Sequence, residues 1–161
     1  STRAADNLLL PLPYAGFPGA SGWTAVLEFS AAALVASGVP LSACAATGAP
    51  DEIWTSSTAT MVHPVVAKRV AGVQVISAAS AGSLVAGATA KIGLGADSAG
   101  ASMALTGTAP VGAINAGYPT MTTLAIGRFA DTASNYQPMH ARSLKLWPYR
   151  LSDGALQAVT T

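Results

Sequence analysis

The sequence predicts an all-β domain: an antiparallel sandwich of two sheets, closed by a short C-terminal helix. Three observations predict it. Apolar residues recur with period two in short runs, as in Trp23, Ala25, Leu27 and Phe29 on one face, against the mostly polar Thr24, Val26, Glu28 and Ser30 on the other. Turn residues recur about every eight to twelve positions, with no helices alternating between the runs. Helical spacing emerges only at the end, where Leu151, Ala155, Leu156 and Val159 follow one another. The alanine-rich stretches favour helix on propensity alone, but frequent Gly, Thr and Val interrupt them.

The chain reads as one domain over residues 1–161. Residues 1–22 form an irregular lead-in. Pro11, Pro13 and Pro18 exclude a helix or a central strand there. Leu8, Leu9, Leu10 and Leu12 are expected to patch it onto the sandwich, with at most one edge strand. Residues 23–30 are the clearest strand of the first half. Residues 31–37 read as one helical turn or a loop, stopped by Gly38 and Pro40. Strands are expected over 41–47, 53–56, 58–62, 65–70 and 73–79, with turns at 48–51 and 71–72. Residues 89–96 and 101–106 read as a hairpin across Asp97-Ser98-Ala99-Gly100. In it Ile92, Leu94 and Ala96 match Ala101, Met103 and Leu105.

The last forty or so residues organise the rest. Leu124 and Ile126 alternate with Thr123 and Ala125, the pattern of a half-buried strand. Residues 127–136 lose that pattern and gain Gly, Asp, Ser and Asn, which reads as a loop. A second strand covers 139–149, with Pro148 near its end. Ser152 is a good N-cap, and Asp153 lies in the first turn, where the helix dipole favours an anion. The closing helix is expected over 152–159.

This succession resembles the C-terminal signature of concanavalin A-like, or laminin G-like, jelly-roll modules of phage and prophage virion proteins. The matching residues are Leu124, Ile126 and Gly127, then Arg142, Leu144, Trp147, Pro148, Arg150, Leu151, Ser152, Asp153, Leu156, Gln157 and Thr160. The opening Thr2-Arg3-Ala4-Ala5-Asp6 is similar to the start of such modules. Gly107 keeps a turn that family members make with Asn-Gly, but Thr106 stands where they have Asn. The resemblance implies a concanavalin A-like jelly roll. It also implies a virion location, on a phage or phage-like particle surface, with other virion proteins as partners. A homo-oligomer is implied as well, because fibre modules commonly come in threes.

Composition excludes several classes. Charged residues are only 9% of the chain, so the surface is either partly covered by other copies or a neutral Ser/Thr/Ala surface. No uninterrupted apolar run approaches the roughly eighteen residues of a membrane span. The net charge is +1 and the cations are scattered, so no stripe tracks phosphates and nucleic-acid binding is not expected. Cys44 is the only cysteine, which rules out a disulfide within the chain and suggests a small buried hydrophobe. The chain begins with Ser rather than Met and is expected to be processed or cut from something longer.

Reactive chemistry is hard to assemble. Glycosidases resembling this sandwich carry paired acids facing one cleft. Here Asp51 and Glu52 are adjacent, hence on opposite faces of an extended chain, and Glu28 stands alone. His63 and His140 are the only histidines, and no serine has a nucleophile-elbow setting. No catalytic residue and no cofactor is predicted. Asp97 and Asp131 read as turn formers rather than calcium ligands, so no metal site is predicted.

Sugar binding demands less: an aromatic face for a pyranose, flanked by amide or carboxylate groups. The 131–137 loop offers Asp131, Ser134, Asn135, Tyr136 and Gln137 together. Trp54, beside Asp51 and Glu52, is a second candidate, and the region from Tyr14 to Phe17 a third; the alternatives are core packing for Trp54 and, for Tyr136, a loop tyrosine covering the sandwich edge. Trp23 and Trp147 follow strand alternation or the terminal signature and are read as structural. The carbohydrate-binding candidates are therefore Asp131, Asn135, Tyr136, Gln137 and Trp54. The expected function is non-enzymatic: a virion surface or tail-fibre module binding a bacterial surface polysaccharide. The alternatives are a capsid or tail decoration protein and, lacking suitable acids, a polysaccharide-degrading enzyme.

Overall fold

The computed structural model describes residues 8–12, 17–18, 21–45, 52–57, 64–70, 72–114, 121–130 and 134–161. Outside the described residues lie the opening motif at 2–6, Tyr14, the turn at 48–51 with Asp51, the strand expected over 58–62, His63 and Asp131.

Eleven strands build two antiparallel sheets among these residues. The first sheet has six strands. In spatial order they are β1 (Leu8–Pro11), β10 (Thr123–Ile126), β3 (Leu41–Cys44), β4 (Glu52–Ser57), β5 (Pro64–Val70) and β6 (Val73–Ala79). The second has five: β11 (His140–Trp147), β2 (Trp23–Ser30), β7 (Thr89–Asp97), β8 (Gly100–Leu105) and β9 (Val111–Ile114). The helix α1 (Asp153–Thr160) closes the chain.

The alternation read from β2 decides which face is core. Trp23, Ala25, Leu27 and Phe29 join Leu41, Ile53, Ile92, Leu94, Met103, Leu105 and Leu124 in one cluster between the sheets. Each large aliphatic or aromatic side chain buried there contributes about 1.5–3 kcal/mol of transfer free energy. The β7–β8 hairpin has the expected register, with Ile92 opposite Leu105, Leu94 opposite Met103 and Ala96 opposite Ala101. Asp97 ties its turn by accepting from the amides of Ala99 and Gly100 at 2.9 and 3.0 Å.

Several elements differ from expectation. The lead-in supplies β1 as an edge strand beside β10, but only Leu10 and Leu12 pack on the core, while Leu8 and Leu9 stay exposed. Residues 31–37 are loop, one of the two forms expected of them. β9 is not expected from the sequence, because Pro110 and Gly112 interrupt its apolar pattern. β10 is buried on both faces: Leu124 and Ile126 face the main core, and Ala125 packs with Cys44 and Ala130 on the other side. Cys44 is buried, as its composition suggested.

The terminal signature turns out to be a docking device. Ser152 caps α1, its hydroxyl accepting from the Ala155 amide at 3.4 Å. Leu156 packs with Val26 and Ala104 on the outer face of the five-stranded sheet. A Cβ on Gly93 would lie 2.7 Å from Leu156 Cδ1 and 2.9 Å from Thr160 Cγ2, so the bare backbone there lets the helix approach. Thr24 anchors the incoming chain: its hydroxyl donates to the Tyr149 carbonyl at 3.0 Å and accepts from the Leu151 amide at 2.8 Å.

Candidate functional site

The loop from β10 to β11 is cinched at its base. The Gly127 amide donates to the Pro40 carbonyl at 2.9 Å, and the Gln137 amide donates to the Gly127 carbonyl at 2.9 Å. Higher up, the Phe129 amide reaches the Ser134 carbonyl at 3.2 Å. The loop is thus a stapled surface excursion lying beside residues 31–40, the connection from β2 to β3.

Three consecutive residues of this loop have three different fates. Asn135 sits in the left-handed region with φ 54°, which Asn tolerates better than most residues. Its Nδ2 donates to the Ser37 carbonyl at 3.2 Å, and its own carbonyl accepts from the Val39 amide at 3.0 Å. Gln137 is turned inward and only 1% exposed. Its Oε1 accepts from the Val35 amide at 3.2 Å, while its Nε2 donates to the carbonyls of Ala33 at 2.8 Å and Pro138 at 3.2 Å. A buried amide with both ends engaged is the arrangement that burial demands. Gly38 makes room for it, since a Cβ there would come within 2.5 Å of Gln137 Oε1.

Tyr136 lies between these two anchors and is 42% exposed. Its backbone is held on both sides by bonds to residues 33–39, so the phenol ring is presented by a loop with little freedom left to lose. A second connection joins the same end of the sandwich, where the Gly87 amide donates to the Ala31 carbonyl at 2.8 Å. Val35 and Val85 are exposed on these neighbouring loops. The rim therefore combines one aromatic face, scattered apolar side chains and amide groups.

Trp54 has a different environment. It is 5% exposed, on the outer face of the six-stranded sheet. The Phe129 ring meets it edge-on with centroids 5.4 Å apart and planes at 74°, and the Arg69 guanidinium lies 5.1 Å from its centroid. Val39 and Ala67 complete that cluster. Aromatic and cation contacts thus occupy the indole, and a sugar would need to displace Phe129 to stack on it. Nearby, buried Glu52 accepts from the Ala130 amide at 3.0 Å, and the Ser42 hydroxyl donates to the Arg128 carbonyl at 2.9 Å. These bonds hold the loop base across the sheet. Of the five carbohydrate candidates, the structure brings Asn135, Tyr136 and Gln137 together, sets Trp54 apart under Phe129, and leaves Asp131 outside the described residues.

The remaining described acids are dispersed. Asp97 pairs with Arg150 at 3.0 Å beside an open depression of about 400 Å³, lined by Asp97, Arg150, Leu151, Ser152 and Asp153. Arg150 also reaches Ser102 Oγ at 3.4 Å and Asp153 at 3.9 Å. Its donors are engaged in holding the helix entry to the β7–β8 turn. Among the described residues no group of three or more His, Cys, Asp or Glu is arranged to hold a metal ion. No described helix is long and apolar enough to cross a membrane.

Sequence reasoning missed one half of the rim. Residues 31–40 contribute the carbonyls of Ala33 and Ser37 and the amides of Val35 and Val39. Backbone groups carry no residue-type signal, and only the Ser37-Gly38-Val39-Pro40 turn marked the stretch.

No protein-family model matches the sequence, and no curated protein matches it. Solved structures do match in shape. The carbohydrate-binding module CBM40 of the Ruminococcus gnavus IT-sialidase, bound to alpha2,3 sialyllactose, has a TM-score of 0.68 at 15% identity, over 89% of this chain and 85% of that one. A heptameric SAP-like pentraxin from Limulus polyphemus has a TM-score of 0.69 at 11% identity, over 100% of this chain and 78% of that one. Domains LG4-5 of the mouse laminin alpha1 chain give 0.65 at 12% identity, over 92% of this chain and 40% of that one. The chain therefore has the concanavalin A-like, laminin G-like jelly-roll fold.

Proposed function

We propose that this chain is a non-catalytic recognition module whose rim around Tyr136 binds a glycan. The observation that carries the reading is the exposed Tyr136 ring, held between the anchored residues Asn135 and Gln137. Stacking a pyranose on a ring carried by a loop backbone already held in place lowers the ordering cost that weakens flexible sites. Asn135 contacts the ligand, Tyr136 supplies the platform, and Gln137 positions both. The similar CBM40 structures, solved with sialyllactose, support a sugar ligand for this shape of domain. A glycan array that includes bacterial surface polysaccharides tests it. Specific signals that Tyr136→Ala removes, with unchanged melting temperature, are the expected result. Signals equal for both proteins, or none at all, count against it.

In this reading the module belongs to the surface of a phage or phage-like particle, as part of a tail fibre and as a homo-oligomer, a trimer. The terminal residues from Leu124 to Thr160 quoted above support that placement. Mass spectrometry of purified particles tests the location, and light scattering tests the copy number.

A second reading, capsid or tail decoration, is favoured by the low charge and by exposed Leu8, Leu9 and Val73. Tight binding to assembled particles that survives Tyr136→Ala would favour decoration over glycan recognition.

A further inference from the structure

We infer that the rim selects uncharged saccharides and gives acidic sugars no advantage; this rests on the glycan reading above. Among the described residues, the connections joined to one another at the rim are 31–40, 80–88 and 134–139. They read AAALVASGVP, SAGSLVAGA and SNYQPM, with no Asp, Glu, Lys, Arg or His among them. Hydrogen bonds between residues 31 and 87, 33 and 137, 35 and 137, and 37 and 135 hold these connections against one another. The ionisable side chains nearest along the chain include Glu28 in β2, Lys91 in β7, Arg128, partly buried, and His140, the first residue of β11; Asp131, an acid in the same loop as Tyr136, lies outside the described residues.

The chemistry follows from that inventory. An acidic sugar carries a carboxylate or sulfate that must shed water when it docks. Without a guanidinium or ammonium among the described rim residues to meet it, desolvation costs free energy that these residues do not return. A neutral pyranose brings instead an apolar C–H face and hydroxyls. The Tyr136 ring takes the face. Asn135 uses Nδ2 on the Ser37 carbonyl, which leaves its Oδ1 to accept from a sugar hydroxyl. The amide of Gln137 is committed to the backbone and cannot serve as an anion donor. Exposed Val35 and Val85 extend the apolar side of the surface rather than the polar side.

The test compares matched probes: galacto-oligosaccharides against oligogalacturonides, and dextran against dextran sulfate, each titrated at low and high salt. The expected result is binding of a neutral probe, with an affinity that changes less than about twofold with salt and an acidic counterpart that binds no better. Tyr136→Ala should abolish that binding, and Tyr136→Phe should keep most of it. An acidic probe preferred by about tenfold, with affinity falling as salt rises, overturns the inference while leaving glycan binding intact. Neutral binding that persists in Tyr136→Ala overturns it by moving the site elsewhere. Binding of no probe in either set defeats the glycan reading itself and this inference with it.

Discussion

Replacing Gln137 by Ala should loosen the rim and lower the stability of the whole domain. The side chain makes three hydrogen bonds to backbone groups, to Val35, Ala33 and Pro138, from a position 1% exposed. At about 1 kcal/mol net for each bond, and about 0.8 kcal/mol for a lost buried methylene, the cost is about 3–4 kcal/mol. For a domain of this size each kcal/mol moves the melting point by roughly 2–4 °C, so thermal unfolding should fall by roughly 6–16 °C. Gln137→Glu isolates the donor half of the amide. It keeps an oxygen for the Val35 amide but turns a second oxygen toward the carbonyls of Ala33 and Pro138. Burial and facing carbonyls disfavour the charged form, so the folded-state pKa of that carboxyl lies above its unfolded value. The folded state then binds more protons, and stability falls as pH rises through the interval between the two values. The Gln137→Glu variant should therefore sit closest to the parent below the unfolded carboxyl value and furthest from it above the folded one. Differential scanning calorimetry at several pH values reads both effects. A Gln137→Ala variant melting within about 1 °C of the parent, or a Gln137→Glu deficit independent of pH, would refute the claim that this amide holds the two connections together.

Other perturbations test other parts of the argument. Leu156→Ala should cost about 2–5 kcal/mol in denaturant unfolding, because the side chain is fully buried between α1 and the five-stranded sheet. Gly93→Val should also destabilise, by pushing Leu156 and Thr160 off the sheet, and loss of helical signal in circular dichroism would report it. Arg150→Ala should cost only about 1 kcal/mol, since its pairing with Asp97 is partly solvent-exposed and screened; a loss of several kcal/mol would contradict this. Cys44 should resist thiol reagents in the native state and react on unfolding, because it is fully buried.

Local pattern carried far where the contacts are local. The β7–β8 hairpin joins residues close in the chain, and alternation alone sets which side chains face the core, so its register was legible from Ile92 to Leu105. The same holds for β2 and for α1, whose cap and apolar spacing are contiguous. Sheet order is another matter. β10 lies between β1 and β3, and β2 lies between β7 and β11, partners far apart along the chain. β9 forms although Pro110 and Gly112 break its pattern, because pairing with β8 overrides weak local preference.

The site divides along the same line. Residue types marked 131–137 as a polar loop with one aromatic ring, and that much belongs to the sequence, since Ser, Asn and Gln beside Tyr resist burial in a strand. Their individual fates do not. Asn135, Tyr136 and Gln137 are neighbours of similar polarity, yet one clamps, one is displayed and one is buried. What separates them is the set of backbone groups offered by residues 33–39, roughly a hundred positions away. Trp54 makes the same point from the opposite side: its sequence left a sugar platform and core packing both open, and Phe129, from the loop after β10 in the same sheet, packs edge-on against it. Alternation and turn chemistry act over a few residues and so can be read along the chain. Which polar group finds a partner, and which ring remains open to solvent, depends on surfaces that exist only once distant segments have met.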